Sequence, residues 1–358
     1  MKRALLQEPF KFVIKHEDRP EPGPGEVLVN VATCGICGTD INAFIGNDPS
    51  GWHIVYPFQM GHELSGLIAA VGEGVPDKPG LRVGDRVVPD GRLPCRRCHY
   101  CRQGLFNLCT DQGYVAGGFS EYALYPYRNL VHVPDGVLLE HAAFGEPLGC
   151  CVNGNSQLLD PPLGGVGVVI GTGPIGMLHL QLVKSRGLMT IGVDLREKRL
   201  KVAAELGADI TVQAQKHHQV DEHVVERIME ITNGRGAEVV VSAAGTDTSV
   251  LDEAIQIAAK RGQILYFAAT LSDPATVSLD PIHYRELRLV GSHDSTTARY
   301  ETALSLLKTK AVQVEPLISH RFPLEDIQEA FEFARKREGI KVMVVNENLQ
   351  ANQPTHGG

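Results

Sequence analysis

The chain has 358 residues with a formal net charge of −8 at pH 7, and 43% of its residues are hydrophobic. This length accommodates two domains with full cores, and the acidic balance argues against nucleic acid as a partner. No apolar run reaches membrane-spanning length, and the segment from Met1 to Glu8 meets acid and Pro9 too early for a signal peptide. We therefore expect a soluble, cytoplasmic protein, and its eight cysteines suggest metal ligands before disulfides.

The N-terminal third predicts a β-rich domain with a candidate metal site. Alternating segments at 10–14 and 26–32 are typical of strands. They lead into Cys37, which Thr39 follows closely, and then to His62 and Glu63. Cys, His and Glu all bind Zn²⁺, and three protein ligands leave a position open for water or substrate. Taken singly, a buried cysteine or a surface His-Glu turn explains each residue better, so the prediction depends on their combination.

A second cysteine group predicts a structural zinc site. Its spacing is C-x2-C-x2-C-x7-C, formed by Cys95, Cys98, Cys101 and Cys109. Four thiolates on one short segment make a closed tetrahedral site, which is structural rather than catalytic. An iron–sulfur cluster is the rival, but the bacterial cluster motif has a three-residue last gap and a following proline, and neither is present. We predict zinc in a lobe spanning residues 92–110.

Glu146 is a further candidate at the metal site. It precedes Pro147 in an otherwise apolar stretch. Burying a lone carboxylate there would be costly unless it faced a cation. An acid near the N-terminus of a helix explains the residue about equally well.

The stretch from Val166 to Asp194 predicts a strand, a tight turn, a helix and a second strand, as in dinucleotide-binding folds. Gly171 would make the turn, Gly173 would let the backbone approach a pyrophosphate, and Gly176 would let the helix press against the sheet. Pro174 and Ile175 open the helix, whose N-terminal N–H groups can bind phosphate. The glycine pattern alone is weak, but strand, helix, second strand and terminal acid all occur in the expected order.

We predict that Asp194 decides which cofactor is bound. At the end of the second strand it would accept hydrogen bonds from both hydroxyls of the adenosine ribose. The 2′-phosphate of NADP would instead meet a carboxylate, a repulsion on the order of 3 kcal/mol per unit charge at ~5 Å and an effective dielectric of ~20. We predict NAD, and we place Arg199 on the following helix among the cofactor-binding residues.

The later chain alternates between strands and helices, which predicts an α/β fold with a doubly wound, six-stranded parallel sheet. We expect a β-rich domain at 1–155, a dinucleotide-binding domain at 156–292, a return to the first domain at 293–346 and a mobile tail at 347–358. The six strands are predicted at 166–170, 190–193, 210–212, 238–241, 263–267 and 288–290. Beyond them we expect helices at 300–307 and 325–337 and strands at 317–320 and 341–345.

Together these motifs resemble the zinc-dependent medium-chain dehydrogenases over nearly the whole chain. Gly61-His62-Glu63 and Glu146-Pro147-Leu148 look most like the sorbitol, other polyol and threonine dehydrogenases. The resemblance implies a GroES-like catalytic domain, a Rossmann domain and two zinc ions per chain. It implies that Cys37, His62 and Glu63 hold the catalytic zinc, that Glu146 lies at or beside it, and that Thr39 takes the hydroxyl proton by a hydrogen bond.

The implied activity is zinc- and NAD-dependent oxidation of a secondary alcohol to a ketone, on a polyol, sugar or cyclitol-like small molecule. Zinc would lower the pKa of the substrate hydroxyl so that it ionises near neutral pH. We also expect a homodimer or homotetramer. A non-catalytic zinc-binding protein is the other class of function, and the NAD-binding half and the acidic charge make it unfavoured.

The chain departs from these relatives at two places. Asn42 stands where they commonly carry a relay histidine. Because Asn cannot take up a proton, the residue that passes the proton to solvent is not assigned, and His53 is a nearby candidate. His293-Asp294-Ser295 replaces the residues expected near the nicotinamide. Asp294 there could form an ion pair with an amine on the substrate, which keeps a threonine- or amino-alcohol-type dehydrogenase, including an aminocyclitol type, as the alternative. An acid in a surface turn is the simpler interpretation of this residue.

Overall fold

The computed structural model describes residues 1–47, 54–217, 219–245, 249–267, 277–346 and 349, and the chain divides into two compact units. The first unit comprises Met1–Gly149, Ser295–Lys310 and Ile318–Gly358, and the second comprises Cys150–Asp294 and Ala311–Leu317. The first unit is therefore assembled from segments that are far apart in the sequence.

The N-terminal segment of the first unit is mostly short strands joined by turns. Its elements are β1 (Lys2–Glu8), β2 (Lys11–His16), β3 (Glu26–Gly35), α1 (Gly38–Phe44), β4 (Glu63–Val71), β5 (Arg86–Pro89), β6 (Arg92–Leu93), α2 (His99–Arg102), β7 (Gly113–Tyr114), β8 (Tyr122–Pro126), β9 (Leu130–His132) and α3 (Leu139–Ala142). Helix α4 (Gly145–Asn155) follows, and the boundary with the second unit falls inside it.

The second unit contains a parallel sheet whose strands alternate with helices. Its elements are β10 (Val166–Ile170), α5 (Pro174–Lys184), β11 (Met189–Asp194), α6 (Glu197–Glu205), β12 (Ile210–Gln213), α7 (Glu222–Ile231), β13 (Ala237–Ser242), α8 (Ser249–Ile257), β14 (Ala258–Tyr266), α9 (Leu279–Tyr284) and β15 (Arg288–Gly291). The strand order is β12-β11-β10-β13-β14-β15, and every pairing is parallel. This is the 3-2-1-4-5-6 order of dinucleotide-binding sheets, and it confirms the predicted six-stranded, doubly wound fold.

The C-terminal elements are α10 (Thr297–Lys308), β16 (Ile318–Pro323), α11 (Ile327–Lys336) and β17 (Lys341–Val345). Strand β17 pairs antiparallel with β3, so the larger sheet of the first unit runs β16-β17-β3-β4-β5-β9, and β8 also pairs with β3. Residues predicted as a tail from 347 onward lie outside the described part of the chain, apart from Leu349.

Some elements differ from the prediction. Strand β1 was not anticipated, although its central residues are buried against the core of the first unit. Helix α8 was also missed, and helix α11 begins two residues later than predicted because a short 3-10 turn precedes it. In the described residues no helix has both the length and the apolar character needed to cross a membrane.

A buried histidine lies within the second unit. His179 on α5 is fully buried, its Nδ1 lies 2.8 Å from Asn155 Nδ2, and its ring packs edge-on against Phe267. Because burial disfavours the charged imidazolium, the pKa of His179 falls to about 3. The folded protein therefore keeps this side chain neutral.

We expect acid to destabilise the protein through His179. Between the ordinary histidine pKa of about 6.5 and the folded value, the unfolded chain binds a proton that the folded chain excludes, so stability falls as pH decreases through that window. At pH 5 this costs about 2 kcal/mol. Urea unfolding should show that the stability difference between the natural protein and His179→Gln shrinks by about this amount between pH 7.5 and pH 5. A matched change at the exposed His16 should leave its difference constant. An unchanged difference for His179→Gln would contradict the prediction.

Candidate active site and zinc lobe

Three candidate zinc ligands meet at one end of the larger sheet of the first unit. Strand β3 ends at Gly35, which pairs with Glu63 at the start of the antiparallel β4. Cys37 comes two residues after the end of β3, and His62 comes directly before β4. The ligand atoms of Cys37, His62 and Glu63 lie within 4.8 Å of one another, and His62 and Glu63 are buried.

Asp40 supports this trio from the first turn of α1. It is fully buried, and its carboxylate accepts hydrogen bonds from the backbone N–H groups of Cys37 at 3.0 Å and Gly61 at 3.4 Å. Its Oδ1 lies 3.6 Å from Nδ1 of His62, which is ion-pair distance. A carboxylate on one ring nitrogen of a histidine orients the other nitrogen for a metal. Asp40 therefore fixes both the start of α1 and the ring of His62.

The charge state of His62 reflects its acidic surroundings. Burial acts to lower its pKa, but Tyr114, Asp40 and Cys37 act in the opposite direction, and the pKa ends well above the ordinary value of 6.5. A metal ion would have to displace that proton to bind the nitrogen. Zinc binding at this site should accordingly weaken as pH falls.

Lys341, the first residue of β17, places a positive charge beside the trio. Its side chain is buried, forms an ion pair with Glu63 Oε2, and donates a hydrogen bond to the carbonyl oxygen of Ile36 at 3.1 Å. Burial acts to lower the pKa of Lys341, but the carboxylate of Glu63 and the thiol of Cys37 raise it above 10.5 overall. The ammonium group is therefore charged.

The other predicted catalytic residues take separate positions. Thr39 lies in α1, and among the described residues its buried Oγ1 has no hydrogen-bond partner, so it is free to accept one from a substrate hydroxyl. Asn42 is half-buried on the same helix. Glu146 is half-buried near the start of α4 and acts electrostatically on Lys341, but its carboxylate is not grouped with Cys37, His62 and Glu63. His53 lies outside the described residues.

The trio fits zinc on the chemistry of its donors. It offers a thiol sulfur, an imidazole nitrogen and a carboxylate oxygen, each a common zinc ligand, at mutual distances that one ion can span. Three protein ligands leave a fourth position for a substrate oxygen, as in catalytic zinc sites.

The lobe holds its four cysteines in a closed arrangement. Strands β6 and β7 pair antiparallel at its base, joining Arg92 to Tyr114 and Leu93 to Gly113. The sulfur atoms of Cys95, Cys98, Cys101 and Cys109 lie within 4.8 Å of one another. A zinc tetrahedron with Zn–S bonds of about 2.3 Å has S–S edges of ~3.8 Å, so the group suits one zinc ion.

Backbone hydrogen bonds prepare the lobe for a metal. The N–H of Cys95 donates to Cys109 Sγ at 3.2 Å, and the N–H of Cys98 donates to Cys95 Sγ at 3.3 Å. Backbone N–H groups, chiefly that of Cys101, lower the pKa of Cys98 to about 5, whereas burial raises the pKa of Cys101 to about 12. One thiol is therefore ionised without metal while another keeps its proton until a cation binds.

In the second unit, the turn after β10 leads directly into α5. Gly171 adopts φ +88°, a left-handed conformation that favours glycine. A Cβ at Gly176 would lie 1.8 Å from the carbonyl oxygen of Gly171, so the close approach is between the first turn of α5 and the loop itself. Gly173 precedes α5, with Pro174 and Ile175 as its first residues. Among the described atoms, a Cβ at Gly173 would have only Arg199 Nη1 within 4 Å, at 3.7 Å, so this side of the backbone is open.

Asp194 is buried at the end of β11 and already holds this loop. Its Oδ2 accepts from the N–H of Thr172 at 2.8 Å and its Oδ1 from the N–H of Arg196 at 2.9 Å. Arg199 Nη1 lies 3.7 Å from Oδ2. A carboxylate has about four lone-pair positions, so Asp194 retains acceptor capacity for ribose hydroxyls.

Two family models match the chain. Residues 23–135 match the alcohol dehydrogenase GroES-like domain, and residues 174–309 match the zinc-binding dehydrogenase model. The sorbitol dehydrogenase of Halalkalibacterium halodurans is 32% identical over 93% of this chain and 95% of its own length. The chain belongs to the zinc-dependent medium-chain dehydrogenase family. It is thus an oxidoreductase that acts on alcohols, and the predicted GroES-like and Rossmann folds are confirmed.

Two further comparisons extend this relationship. The L-threonine 3-dehydrogenase of Pyrococcus furiosus is 31% identical over 91% of this chain and 92% of its own length. An alcohol dehydrogenase structure from Escherichia coli CFT073, complexed with NADH, has a TM-score of 0.86 and 30% identity, covering 97% of this chain and 99% of that one. These similarities span nearly all of each chain.

Sequence reasoning missed two residues of the site. Asp40 comes three residues after Cys37 in the sequence, but its position beside His62 becomes visible only when β3 and β4 pair. Lys341 was predicted to begin the last strand, and its only signal was a charged residue opening an apolar run that is buried throughout. A buried lysine in such a strand requires a partner, but the sequence does not say which acid supplies it.

Proposed function

We propose that this dehydrogenase oxidises a secondary alcohol on a polyhydroxylated small molecule to a ketone, with NAD as the acceptor and two zinc ions per chain. The observation that carries the proposal is the set Cys37, His62 and Glu63, in which a carboxylate rather than a second thiol completes the trio. The relationship to a sorbitol dehydrogenase supports the polyol class, and the relationship to a threonine dehydrogenase supports the alternative.

The residues of the first unit have distinct parts in this reaction. Cys37, His62 and Glu63 would hold the catalytic zinc, and Asp40 would keep His62 oriented through its second nitrogen. Zinc supplies a Lewis acid that lowers the pKa of the alcohol, and NAD supplies the hydride acceptor. Thr39 Oγ1, buried and without a partner in the described residues, accepts the hydrogen bond of the substrate hydroxyl. Asn42 cannot carry the proton onward, since an amide has no basic site near neutral pH.

Glu146 is the residue that we assign to substrate choice. Its carboxylate accepts a hydrogen bond from a second hydroxyl next to the reacting one. A site built to bond a hydroxyl rejects analogues that lack it far more strongly than an apolar pocket rejects an extra methylene. Polyols and cyclitols should therefore be turned over, whereas simple primary alcohols should be poor substrates.

A substrate panel tests this proposal. NADH formation is measured with sorbitol, xylitol, inositol, L-threonine and ethanol, and the best polyol or cyclitol should exceed ethanol in kcat/KM by about 10²-fold or more. Glu146→Gln should lower kcat/KM for that substrate while leaving the Kd for NAD unchanged. If ethanol matched every polyol and cyclitol, the polyol proposal would fail, and a preference for threonine would favour the amino-alcohol alternative.

The cofactor preference is a separate prediction. Asp194 should make NAD preferred over NADP by at least about tenfold in kcat/KM, which corresponds to ~1.4 kcal/mol. Asp194→Asn keeps one acceptor oxygen, now that of an amide, and removes the negative charge, so it should lower the preference for NAD over NADP. Asp209, an acidic residue of the same unit, pairs with Lys184 and Thr190. Its replacement in Asp209→Asn is the matched control and should leave the preference for NAD over NADP unchanged. Equal use of both cofactors by the natural protein would contradict the role of Asp194.

We also propose a cytoplasmic homo-oligomer, a homodimer or homotetramer. Strand β15 is an edge strand of the parallel sheet and exposes Leu289, while Leu279 and Tyr284 on the preceding helix are also exposed. Open sheet edges with apolar side chains favour pairing with another chain. Analytical ultracentrifugation gives the subunit number.

A further inference from the structure

Lys341 is built tightly into the candidate zinc site. Its ammonium group reaches both Glu63 Oε2 and the carbonyl oxygen of Ile36, the residue before Cys37. A Cβ at Gly35 would lie 2.5 Å from Glu63 Oε2 and 2.6 Å from Lys341 Cε. The absence of a side chain at Gly35 therefore makes the space in which Lys341 and Glu63 meet.

Strand pairing fixes this meeting. Glu63 is paired with Gly35 on one side of β3, and Met343 of β17 is paired with Gly35 on the other side. Lys341 precedes Met343 by two residues, so the side chains of Lys341 and Met343 leave β17 on the same face of the sheet. That face and that end of the sheet are also those of Glu63. The backbone of β17 therefore fixes the point from which the side chain of Lys341 starts and the face of the sheet that it takes.

The charges around the trio explain why a cation is needed there. Glu63 and Asp40 are carboxylates, Cys37 becomes a thiolate on binding metal, and Glu146 also acts on Lys341. Lys341 offsets part of this negative charge. It also repels a divalent ion and competes with it for Oε2 of Glu63.

We propose that Lys341 is a positioning residue that occupies Oε2 of Glu63, so that this carboxylate gives zinc one oxygen only. Zinc is then bound less tightly and with less donated charge than the bare ligand set would allow, which keeps it a stronger Lewis acid. This inference rests on the proposed role of Cys37, His62 and Glu63 as zinc ligands.

The test measures zinc release rather than turnover. Purified zinc-loaded protein is mixed with a chelating dye, and the absorbance of the dye follows zinc release over time. The kinetic phase of release that is missing in Cys37→Ser belongs to the active-site zinc. Lys341→Met and Lys341→Gln should each release that zinc at least tenfold more slowly, whereas the zinc of the four-cysteine lobe should leave at an unchanged rate. Lys341→Arg keeps the charge and should release zinc at close to the natural rate.

A control removes a second ion-paired cation from the neighbouring strand. Arg321 on β16 forms a bidentate pair with Glu140 at 2.7 and 2.8 Å, and Arg321→Met should leave the release of both zinc ions unchanged. Cobalt(II) in place of the active-site zinc gives a second readout. Its d–d absorption should weaken in the neutral variants, because a carboxylate bound through both oxygens raises the coordination from four to five.

The possible results separate this inference from the proposed function. Release from both neutral variants at or above the natural rate, or unchanged cobalt spectra, would overturn the role of Lys341. If the natural protein bound zinc at the four-cysteine lobe alone, the ligand assignment itself would fail. A general structural defect would speed zinc loss, which is opposite to the expected slowing.

Discussion

Replacing Cys37 by serine should abolish turnover and remove one of two zinc ions while the fold persists. Cys37 supplies the thiol of the open trio, and serine is a much weaker zinc ligand at neutral pH. Without the Lewis acid the alcohol does not ionise near pH 7, so kcat should fall on the order of 10³-fold or more, about 4 kcal/mol of barrier. Steady-state kinetics and metal analysis of the same preparation measure both effects.

The rest of the molecule should be little affected by this change. Cys37 lies after the end of β3 and before α1, and the core of the first unit is formed by other residues. We expect Tm to shift by about 2 °C or less. Full activity in a zinc-depleted Cys37→Ser protein, or retention of two zinc ions, would show that the open site has been placed on the wrong residues.

Replacing Cys95 by serine should instead destabilise the fold before it affects chemistry. The four sulfur atoms of the lobe form a closed set, and the energy with which such a set binds zinc is folding energy, on the order of 10 kcal/mol in small zinc peptides. Loss of one ligand should cost about 3 kcal/mol or more, which is roughly 6–12 °C in Tm. Thermal unfolding followed by circular dichroism measures this loss.

Activity provides the internal control for Cys95→Ser. At a temperature where the variant is still folded, kcat should stay within about threefold of the natural value, because the lobe supplies no open coordination position. If Cys95→Ser lost turnover at unchanged Tm, while Cys37→Ser lost stability at unchanged turnover, the two assignments would have to be exchanged.

The parallel sheet could be predicted from the sequence because its signals are local. Its central strands contain short apolar runs, and the run at 166–170 matches β10 at both ends. Helix α8 was overlooked although its start carries a local signal, since Ser249 and Asp252 have the spacing of a capping box. Strand β1 was missed because Lys2, Arg3, Gln7 and Glu8 mask a short buried centre. Tertiary packing, rather than local pattern, decides such elements.

The site shows the same division between local and distant information. The spacing of the four cysteines and the Gly61-His62-Glu63 motif lie within short segments, and the structure brings each group together. The support of His62 by Asp40 and of Glu63 by Lys341 depends on which strands are neighbours. From the sequence, Glu146 was about equally well explained as an acid facing a cation and as an acid at a helix start. In the structure its carboxylate acts on the ammonium group of Lys341, but it is not grouped with Cys37, His62 and Glu63.

The pairing of β17 with β3 has a consequence for synthesis on the ribosome. Lys341 and the carbonyl of Ile36 that it contacts are 305 residues apart, whereas Cys95 and Cys109 are 14 residues apart. Domains begin to fold as they emerge, N-terminal segments first. The lobe can therefore take up its zinc early in translation. The site of Cys37, His62 and Glu63 is complete only after Lys341 has been synthesised, near the end of the chain. Its final affinity for metal is therefore reached late in translation.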